Sequence, residues 1–249
     1  MTRVLLLGGT TEASQLARTL AAVGMDAVFS YAGRTDAPMT QPLATRVGGF
    51  GGVAGLVNYL KAEGITHIVD ATHPFAAGMS RNAVAAATQA RVHLVALERP
   101  AWEPDPVDRW TQVADVPAAV AALPHNATRI FLAIGRKHLA EFSSKPQHYY
   151  LARLVDCPRL PLPLRHVEAV IARGPFDCSG DLALMRKHGI ELLVAKNGGG
   201  VAARAKIDAA RELGLPVVMI ERPSVPDRLV LGTTAAVMDW ITHSACLGV

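Results

Sequence analysis

Short apolar segments alternate with stretches of helical periodicity along most of this chain, and this alternation is the strongest constraint on its fold. The apolar segments predict strands at Val4–Leu7, Ala27–Tyr31, Ile65–Asp70, Val92–Leu97, Arg129–Ile134, Val167–Ile171, Glu191–Ala195 and Pro216–Ile220. The periodic stretches predict helices at Thr11–Val23, Val53–Ala62, Ala76–Gln89, Asp177–His188, Val201–Leu213 and Thr233–His243. Strands that alternate with helices indicate an α/β fold with parallel sheets covered by helices on both faces.

Two proline-rich stretches interrupt this alternation. The stretch RPAWEPDPVDRW, residues 99–110, is predicted to link two α/β halves. We therefore expect a first domain at residues 1–105 and a second at residues 106–249. The stretch CPRLPLPLRH, residues 157–166, is expected to loop out of the second half or to lead into an edge strand.

The composition narrows the class of protein. Half of the 249 residues are hydrophobic, which is enough for a large core. No apolar stretch approaches the roughly 20 residues of a membrane span, and the first apolar run is too short for a signal peptide. The three cysteines (Cys157, Cys178 and Cys246) contain no Cys-x-x-Cys pair, which argues against a disulfide framework and a metal site. We expect a cytoplasmic protein with no membrane partner.

The charge of the chain is modestly basic, with a formal net charge of +4. The basic residues are scattered, and only 5% of residues are aromatic, which leaves little for stacking on bases. Nucleic acid is therefore not an expected partner. The excess of positive charge suits either an ordinary surface or an acidic small molecule.

The first strand ends in the sequence LLLGGTTEA, where apolar residues give way to small and polar ones. Gly8 and Gly9 form a turn, and Thr10 and Thr11 can cap the helix that follows. Backbone N–H groups and the positive end of a helix dipole at such a turn suit a phosphate. The spacing does not match the dinucleotide pattern G-x-G-x-x-G, so an ordinary strand-to-helix turn remains an alternative.

The segment after the second strand reads Tyr31-Ala32-Gly33-Arg34 and contains no acid. A cofactor with a free ribose 2′-hydroxyl usually meets an Asp or Glu here, whereas a 2′-phosphate needs a nearby arginine. This segment therefore favours NADP(H) over NAD(H), with Arg34 holding the phosphate and Tyr31 lying against the adenine or ribose. We also expect Gly49, in the glycine-rich stretch 48–52, to approach the cofactor.

The stretch DATHPFAAGMSRNA, residues 70–83, places polar residues at the end of another strand. Thr72 or His73 ends the strand, and Pro74 suits the first turn of the next helix, which would carry Ser80. Such a strand end suits a nicotinamide amide or a substrate acid. A lone histidine is more often a structural hydrogen-bonding group than a catalyst, so proton transfer by His73 remains open.

In the second half, four strand ends deliver cations to one predicted edge. These are Arg136 with Lys137, Arg173 with Gly174, Lys196 with Asn197, and Arg222. Solvated loop cations are common, but four at equivalent positions predict a surface for several carboxylates or phosphates.

The order of these motifs resembles one known family. LLLGGTTEASQLA, THPFAAGMSRNA, ERPAWEP, AIGRKHLAEF, ARGPF, AKNGGG followed by AKIDAAR, and LPVVMIERP occur in the order found in the precorrin-6A reductase family of cobalamin biosynthesis. The resemblance spans nearly the whole chain. Gly198 departs from it, because the family tends to carry a serine there, so only a backbone role is expected at that position.

The resemblance implies two Rossmann-like domains with a cleft between them, and hydride transfer from NADPH to a carbon–carbon double bond of precorrin-6A, giving precorrin-6B. The substrate is a polycarboxylate macrocycle, and the product would be handed to neighbouring pathway enzymes. The cofactor residues would be Gly8, Gly9, Thr10, Thr11, Tyr31, Ala32, Gly33, Arg34, Gly49, Thr72, His73, Pro74 and Phe75. The substrate residues would be Ser80, Arg136, Lys137, Arg173, Gly174, Lys196 and Asn197. The candidate proton donors are His73, Lys137, ordered water and a carboxylic acid of the substrate.

Other functions compete with this interpretation. The chain could be an NADPH-dependent reductase of another small acidic substrate, or a non-catalytic NADPH-sensing protein. A short-chain-type reductase is disfavoured because no tyrosine has a lysine four positions later. A methyltransferase is disfavoured because residues 31–34, at and after the end of the second strand, contain no acid to hold ribose hydroxyls.

Overall fold

The computed structural model describes residues 1–33 and 38–246, and the chain divides into two compact units. The first unit contains residues 1–100 and the chain from Ser224 onward. The second unit contains residues 101–223. The chain therefore passes from one unit to the other twice.

The first unit contains a six-stranded parallel sheet in the order β12-β5-β4-β1-β2-β3. Its strands are β1 (Val4–Leu7), β2 (Ala27–Tyr31), β3 (Ala44–Val47), β4 (His67–Asp70), β5 (His93–Leu97) and β12 (Val230–Leu231). Its helices are α1 (Thr11–Ala22), α2 (Gly52–Ala62), α3 (Ala77–Ala90) and α7 (Thr234–Cys246).

The core of the first unit lies on both faces of this sheet. All residues of β1 are buried, because alternate side chains point to opposite faces and both faces are covered. Val4 and Leu6 pack with α1 and α7, whereas Leu5 and Leu7 pack with α2 and α3. The unbroken apolar run of β1 thus reflects a central strand buried from both sides.

The second unit contains another six-stranded parallel sheet, in the order β6-β11-β10-β7-β8-β9. Its strands are β6 (Arg109–Val113), β7 (Arg129–Ala133), β8 (Tyr149–Leu154), β9 (Val167–Ile171), β10 (Leu192–Lys196) and β11 (Pro216–Ile220). Its helices are α4 (Val116–Ala121), α5 (Cys178–Lys187), α6 (Ala205–Glu212) and a 3₁₀ helix at Arg136–Ser144.

Each sheet has a point where the strand order reverses. In the first unit this point lies between β1 and β4, and in the second between β7 and β10. Ligands of open α/β sheets bind beyond the carboxyl ends of the strands at such points. The residues that follow these strands are therefore the candidate ligand-binding residues.

The α/β class, the parallel sheets and the predicted strands and helices are confirmed, with shifts of a few residues at some ends. The structure adds β3, β6, β8, β12, α4 and the 3₁₀ helix. β6 begins at Arg109, inside the stretch predicted to be a linker. The stretch 157–166 leads into β9, which is an edge strand, as one of the two alternatives predicted.

The extent of the second domain differs from the prediction of residues 106–249. The second unit begins at Ala101, and the chain returns to the first unit at Ser224. The reason is that β12 pairs with β5, while Val237 and Ile241 of α7 are buried in the core of the first sheet. In the described part of the chain, no helix is long and apolar enough to cross a membrane.

Candidate functional site

The turn after β1 is shaped by two glycines with different constraints. A Cβ atom on Gly8 would lie 2.0 Å from Cζ of Phe29, so packing admits only glycine there. Gly9 has a φ of +127°, which favours glycine, and a Cβ atom at this position would meet nothing within 4 Å. The turn therefore leaves open space in front of the first helix.

Thr10 joins the two strands that flank the reversal point. Its Oγ1 accepts a hydrogen bond from Ala13 N (3.1 Å) as the N-cap of α1, and donates one to Ala71 O (2.8 Å) beyond β4. The hydroxyl of Thr10 is thus occupied in holding the turn. Thr11, at the first helical position, is exposed.

Glu12 lies in the first turn of α1 and pairs with Arg99, which follows β5. Arg99 Nη1 lies 2.5 Å from Oε2 of Glu12, and the two side chains are 14% and 25% exposed. Arg99 thus compensates the negative charge of the Glu12 carboxylate, which lies next to the place where a phosphate would bind. Neither residue is predicted from the sequence to belong to the site, because residues so far apart in the chain give no local signal.

Asp70 ends β4 beside Leu7 of β1 and is 3% exposed. Its Oδ1 accepts hydrogen bonds from Thr72 N (3.2 Å) and Thr72 Oγ1 (2.7 Å). Its Oδ2 is buried and accepts no hydrogen bond from the described residues. A buried carboxylate oxygen without a donor is costly, so it can accept a hydroxyl or amide of a ligand. From the sequence alone, Asp70 is predicted only to end a strand.

The residues after Thr72 form a turn rather than the start of a helix. Pro74 is buried and precedes α3, which begins at Ala77, so the prediction that Pro74 lies in the first helical turn is wrong. His73 is exposed, and its Nδ1 accepts a hydrogen bond from Phe75 N (3.2 Å). A neutral His73 in this arrangement carries its proton on Nε2. Its ring centroid lies 5.7 Å from that of Phe75.

Tyr31 ends β2 and uses its hydroxyl within the first unit. The hydroxyl donates to Met39 O (3.0 Å) and accepts from Nε2 of Gln41 (2.6 Å). Ala32 and Gly33 are exposed beyond it, and the predicted phosphate ligand Arg34 lies outside the described residues.

Arg46 is a second arginine near the end of β2 that the sequence analysis missed. It lies on β3 opposite Ser30, and it donates to Ser30 Oγ (2.8 Å), Gly48 O (2.9 Å) and Gly49 O (3.2 Å). The contact with Gly49 is therefore a backbone contact that holds the glycine-rich stretch. A signal for Arg46 exists in the sequence, since it lies two residues before that stretch.

The carboxyl end of the first sheet fits a dinucleotide. The glycine turn and the N-terminus of α1 can receive a pyrophosphate, and no acid ends β2. Thr72, His73 and Phe75 lie together beyond β4, where a nicotinamide ring would be placed in a fold of this order.

The carboxyl end of the second sheet carries cations after four of its six strands, as predicted. In sheet order they are Arg222 after β11, Lys196 at the end of β10, Arg136 and Lys137 after β7, and Arg173 after β9. Arg136 and Lys137 are exposed, and neither forms an ion pair with a residue in the described ranges. These two are therefore available to a charged ligand.

The other predicted substrate residues are more strongly engaged. Nη2 of Arg173 lies 3.7 Å from Oδ1 of Asp156, and Gly174 follows it at the same edge. The Asn197 side chain forms hydrogen bonds with the main chain of Trp102. The backbone carbonyl of Asn197 accepts a hydrogen bond from Arg222 Nε (3.0 Å). Ser80 is only 4% exposed, so it offers almost no surface to a substrate.

The comparisons with known proteins agree with this geometry. Residues 3–242 match the family model described as precorrin-6x reductase CbiJ/CobK. The chain is 61% identical to a precorrin-6A reductase of Rhodobacter capsulatus, over 98% of both chains. It is 42% identical to a precorrin-6A reductase of Mycobacterium tuberculosis, over 91% of both chains.

A solved structure gives the same result for the fold. The structure titled CobK precorrin-6A reductase superposes with a TM-score of 0.95 and 61% identity, and covers 98% of this chain and 97% of its own. The two parallel sheets with their polar carboxyl ends, the family match over residues 3–242 and this superposition agree with one another. The chain belongs to the precorrin-6x reductase family CbiJ/CobK.

Proposed function

We propose that this chain reduces a carbon–carbon double bond of precorrin-6A with NADPH, giving precorrin-6B in cobalamin biosynthesis. Membership of a reductase family with Rossmann-like units makes it an oxidoreductase that uses a nicotinamide cofactor. The observation that carries the proposal is the difference in chemistry between the two sheet ends. One presents a glycine turn and a helix N-terminus, and the other presents a row of cations.

The first unit would bind the cofactor. The backbone of Gly9 and Thr11 would approach the pyrophosphate, where the dipole of α1 favours negative charge. Thr10 would act indirectly, because its hydroxyl is already bonded to Ala13 and Ala71. The absence of an acid in the described part of the β2 end favours a 2′-phosphate over a free hydroxyl.

The second unit would bind the macrocycle. Precorrin-6A carries acetate and propionate side chains, and a row of Arg and Lys side chains complements several carboxylates at once. Arg136 and Lys137 are the strongest candidates, because they are exposed and have no ion pair with a described residue. Asn197 would support this surface by fixing the backbone after β10.

The reaction adds a hydride to one carbon of the double bond and a proton to the other. The reduced nicotinamide supplies the hydride when it is bound. The protein must then orient the two partners and provide or admit one proton. Nε2 of His73 and Nζ of Lys137 are candidate proton donors, since both side chains are exposed at the carboxyl ends of their sheets.

We also propose that the protein acts in the cytoplasm and passes its product to the next enzyme of the pathway. The thiols of Cys157 and Cys178 form no disulfide within the described residues, which suits a reducing compartment.

The test is an anaerobic titration with NADPH and with NADH, followed by addition of precorrin-6A. Nicotinamide absorbance and the macrocycle spectrum are recorded together. Selective NADPH binding with coupled oxidation and a spectral shift supports the proposal. If NADPH binds but precorrin-6A does not oxidise it, the substrate assignment is refuted. A reductase of another small acidic substrate and a non-catalytic NADPH-sensing protein then remain as alternatives. An absence of nucleotide binding refutes the cofactor assignment.

A further inference from the structure

Arg46 is a half-buried cation on the edge strand β3, and its hydrogen-bond partners among the described residues are neutral. Its guanidinium donates to one hydroxyl and two backbone carbonyls, and no described carboxylate lies within ion-pair distance. A guanidinium is normally satisfied by carboxylates or phosphates that match its planar fork. The arrangement thus fixes the position of Arg46 without neutralising its charge.

The orientation of the Arg46 guanidinium is fixed from several sides. Two hydrogen bonds leave Nη1 and one leaves Nη2, so three of its five N–H donors are used. The Phe50 ring lies 3.9 Å from its central carbon, and the Tyr59 ring lies 5.2 Å away. Burial raises the pKa of Tyr59, so this neighbour stays neutral. An arginine held in this way loses little freedom when it binds a ligand.

The donors that remain are the Nε–H and one of the two Nη2–H groups, and Nε and Nη2 are the nitrogens that share one edge of the planar group. Neither is bonded within the described residues. Two parallel donors of this kind match two oxygens of a phosphate in a bidentate contact. The free part of Arg46 is therefore the part best suited to an oxyanion.

The position of Arg46 identifies which oxyanion it would meet. Ser30, which it contacts, is the penultimate residue of β2. It lies about 20 residues beyond the glycine turn, near the position where an acid holds the ribose 2′-hydroxyl in NAD-binding proteins. Ser30 is 5% exposed and cannot take that role itself. A fixed cation on the neighbouring strand therefore lies beside the position that an acid would occupy.

We propose that Arg46 binds the 2′-phosphate of the cofactor and sets the preference of this protein for NADPH over NADH. This inference rests on the proposed use of NADPH. It adds a phosphate-binding residue that is not predicted from the sequence. The contact with Phe50 and the carbonyls of Gly48 and Gly49 would hold the fork ready before the cofactor arrives.

The experiment measures dissociation constants for NADPH and NADH by nicotinamide fluorescence, in the wild type and in Arg46→Gln. We expect the NADPH constant to rise about tenfold to a hundredfold, the loss of one or two hydrogen bonds to a charged group. The NADH constant should stay close to that of the wild type. Arg18→Gln is the matched control, because it removes an exposed arginine of the same unit on α1 and should change neither constant.

Fragments separate the 2′-phosphate from other sources of phosphate. In the wild type, 2′,5′-ADP should compete with NADPH more strongly than 5′-ADP, and inorganic phosphate should compete weakly. Arg46→Gln should remove the advantage of 2′,5′-ADP. Arg46→Lys, which keeps the charge but loses the fork, should remove most of it and serves as the second variant if Arg46→Gln does not fold by circular dichroism.

Three outcomes overturn the inference. If both variants retain the wild-type ratio of NADPH to NADH affinity, Arg46 does not contact the 2′-phosphate, although the proposed function stands. If affinity for both cofactors falls equally, Arg46 only supports the glycine-rich stretch or stacks on the adenine. If the wild type itself shows no preference for NADPH, both this inference and the proposed cofactor fail.

Discussion

Asn197 and Trp102 are joined by two hydrogen bonds between the Asn197 side chain and the Trp102 main chain. Trp102 N donates to Oδ1 of Asn197 (2.7 Å), and Nδ2 of Asn197 donates to Trp102 O (2.8 Å). Both residues are buried, at 6% and 5% exposure. Asn197 thus fixes the segment where the chain enters the second unit to the backbone that follows β10.

The first prediction concerns this pair. Asn197→Ala leaves a buried N–H and a buried carbonyl of Trp102 without partners, which costs about 2–4 kcal/mol in the free energy of unfolding. Urea denaturation, monitored by tryptophan fluorescence, measures the loss in the free energy of unfolding. The exposed Asn126→Ala is the control and should be close to the wild type. A loss as small as that of the control would contradict the structural role of Asn197.

The second prediction concerns the cap of α1. Thr10→Ala removes the bond to Ala13 N and the bond to Ala71 O, and should cost about 1–2 kcal/mol of stability. It should also weaken cofactor binding, because the turn is no longer held. Thr10→Ser keeps the hydroxyl and should restore most of both losses. Thr19→Ala, on the same helix but with only an exposed bond to Gln15 O, is the control.

The third prediction concerns the Glu12–Arg99 ion pair. Arg99→Gln leaves the Glu12 carboxylate uncompensated beside the proposed site of the cofactor phosphates, and the dissociation constant for NADPH should rise about tenfold. The double variant Glu12→Gln/Arg99→Gln removes the repulsion and should bind nearly as well as the wild type. Calorimetry on the single and double variants measures the coupling. If the double variant binds as weakly as Arg99→Gln, Arg99 acts by another route.

The fourth prediction concerns pH and His67. His67 is 3% exposed, its Nε2 lies 3.0 Å from Ser244 Oγ, and its ring stacks on that of His93. Burial, and then the neighbouring His93, lower the pKa of His67 to about 4. The unfolded chain therefore binds more protons than the folded chain between about pH 6.5 and pH 4, and stability falls as the pH is lowered through this window.

The test of this effect compares urea denaturation at pH 7 and pH 5 in His67→Gln and in the wild type. The variant should lose less stability over this interval than the wild type. It should not lose the dependence completely, because burial also lowers the pKa of His148 in the second unit. The exposed His125→Gln is the control, and equal pH dependence in all three proteins would rule out His67 as the cause.

The sequence predicted the elements well where their apolar pattern is strong. β1 and β11 are buried central strands, and their runs of Val, Leu and Ile mark them clearly. β3 and β6 were missed because they are edge strands with mostly exposed side chains, so no apolar run identifies them. β12 has only two residues, too few to form a pattern.

The sequence alone predicts which residues lie at strand ends, but it does not predict their hydrogen-bond and ion-pair partners. Gly8, Thr10 and the cations of the second unit follow from the strand-to-loop transitions alone. The pairing of Glu12 with Arg99, and of Ser30 with Arg46, depends on the spatial order of the strands in the sheet. The return of α7 to the first unit is a tertiary contact that helical periodicity cannot specify.

The central claim is that this chain transfers a hydride from NADPH to a carbon of precorrin-6A. The most direct test is one turnover with NADPH carrying deuterium at C4 of the nicotinamide, prepared separately in each of the two stereochemical positions, followed by mass spectrometry of the product. The account predicts that one of the two labelled cofactors places a single deuterium on a carbon of precorrin-6B. A product without deuterium from both cofactors would contradict it.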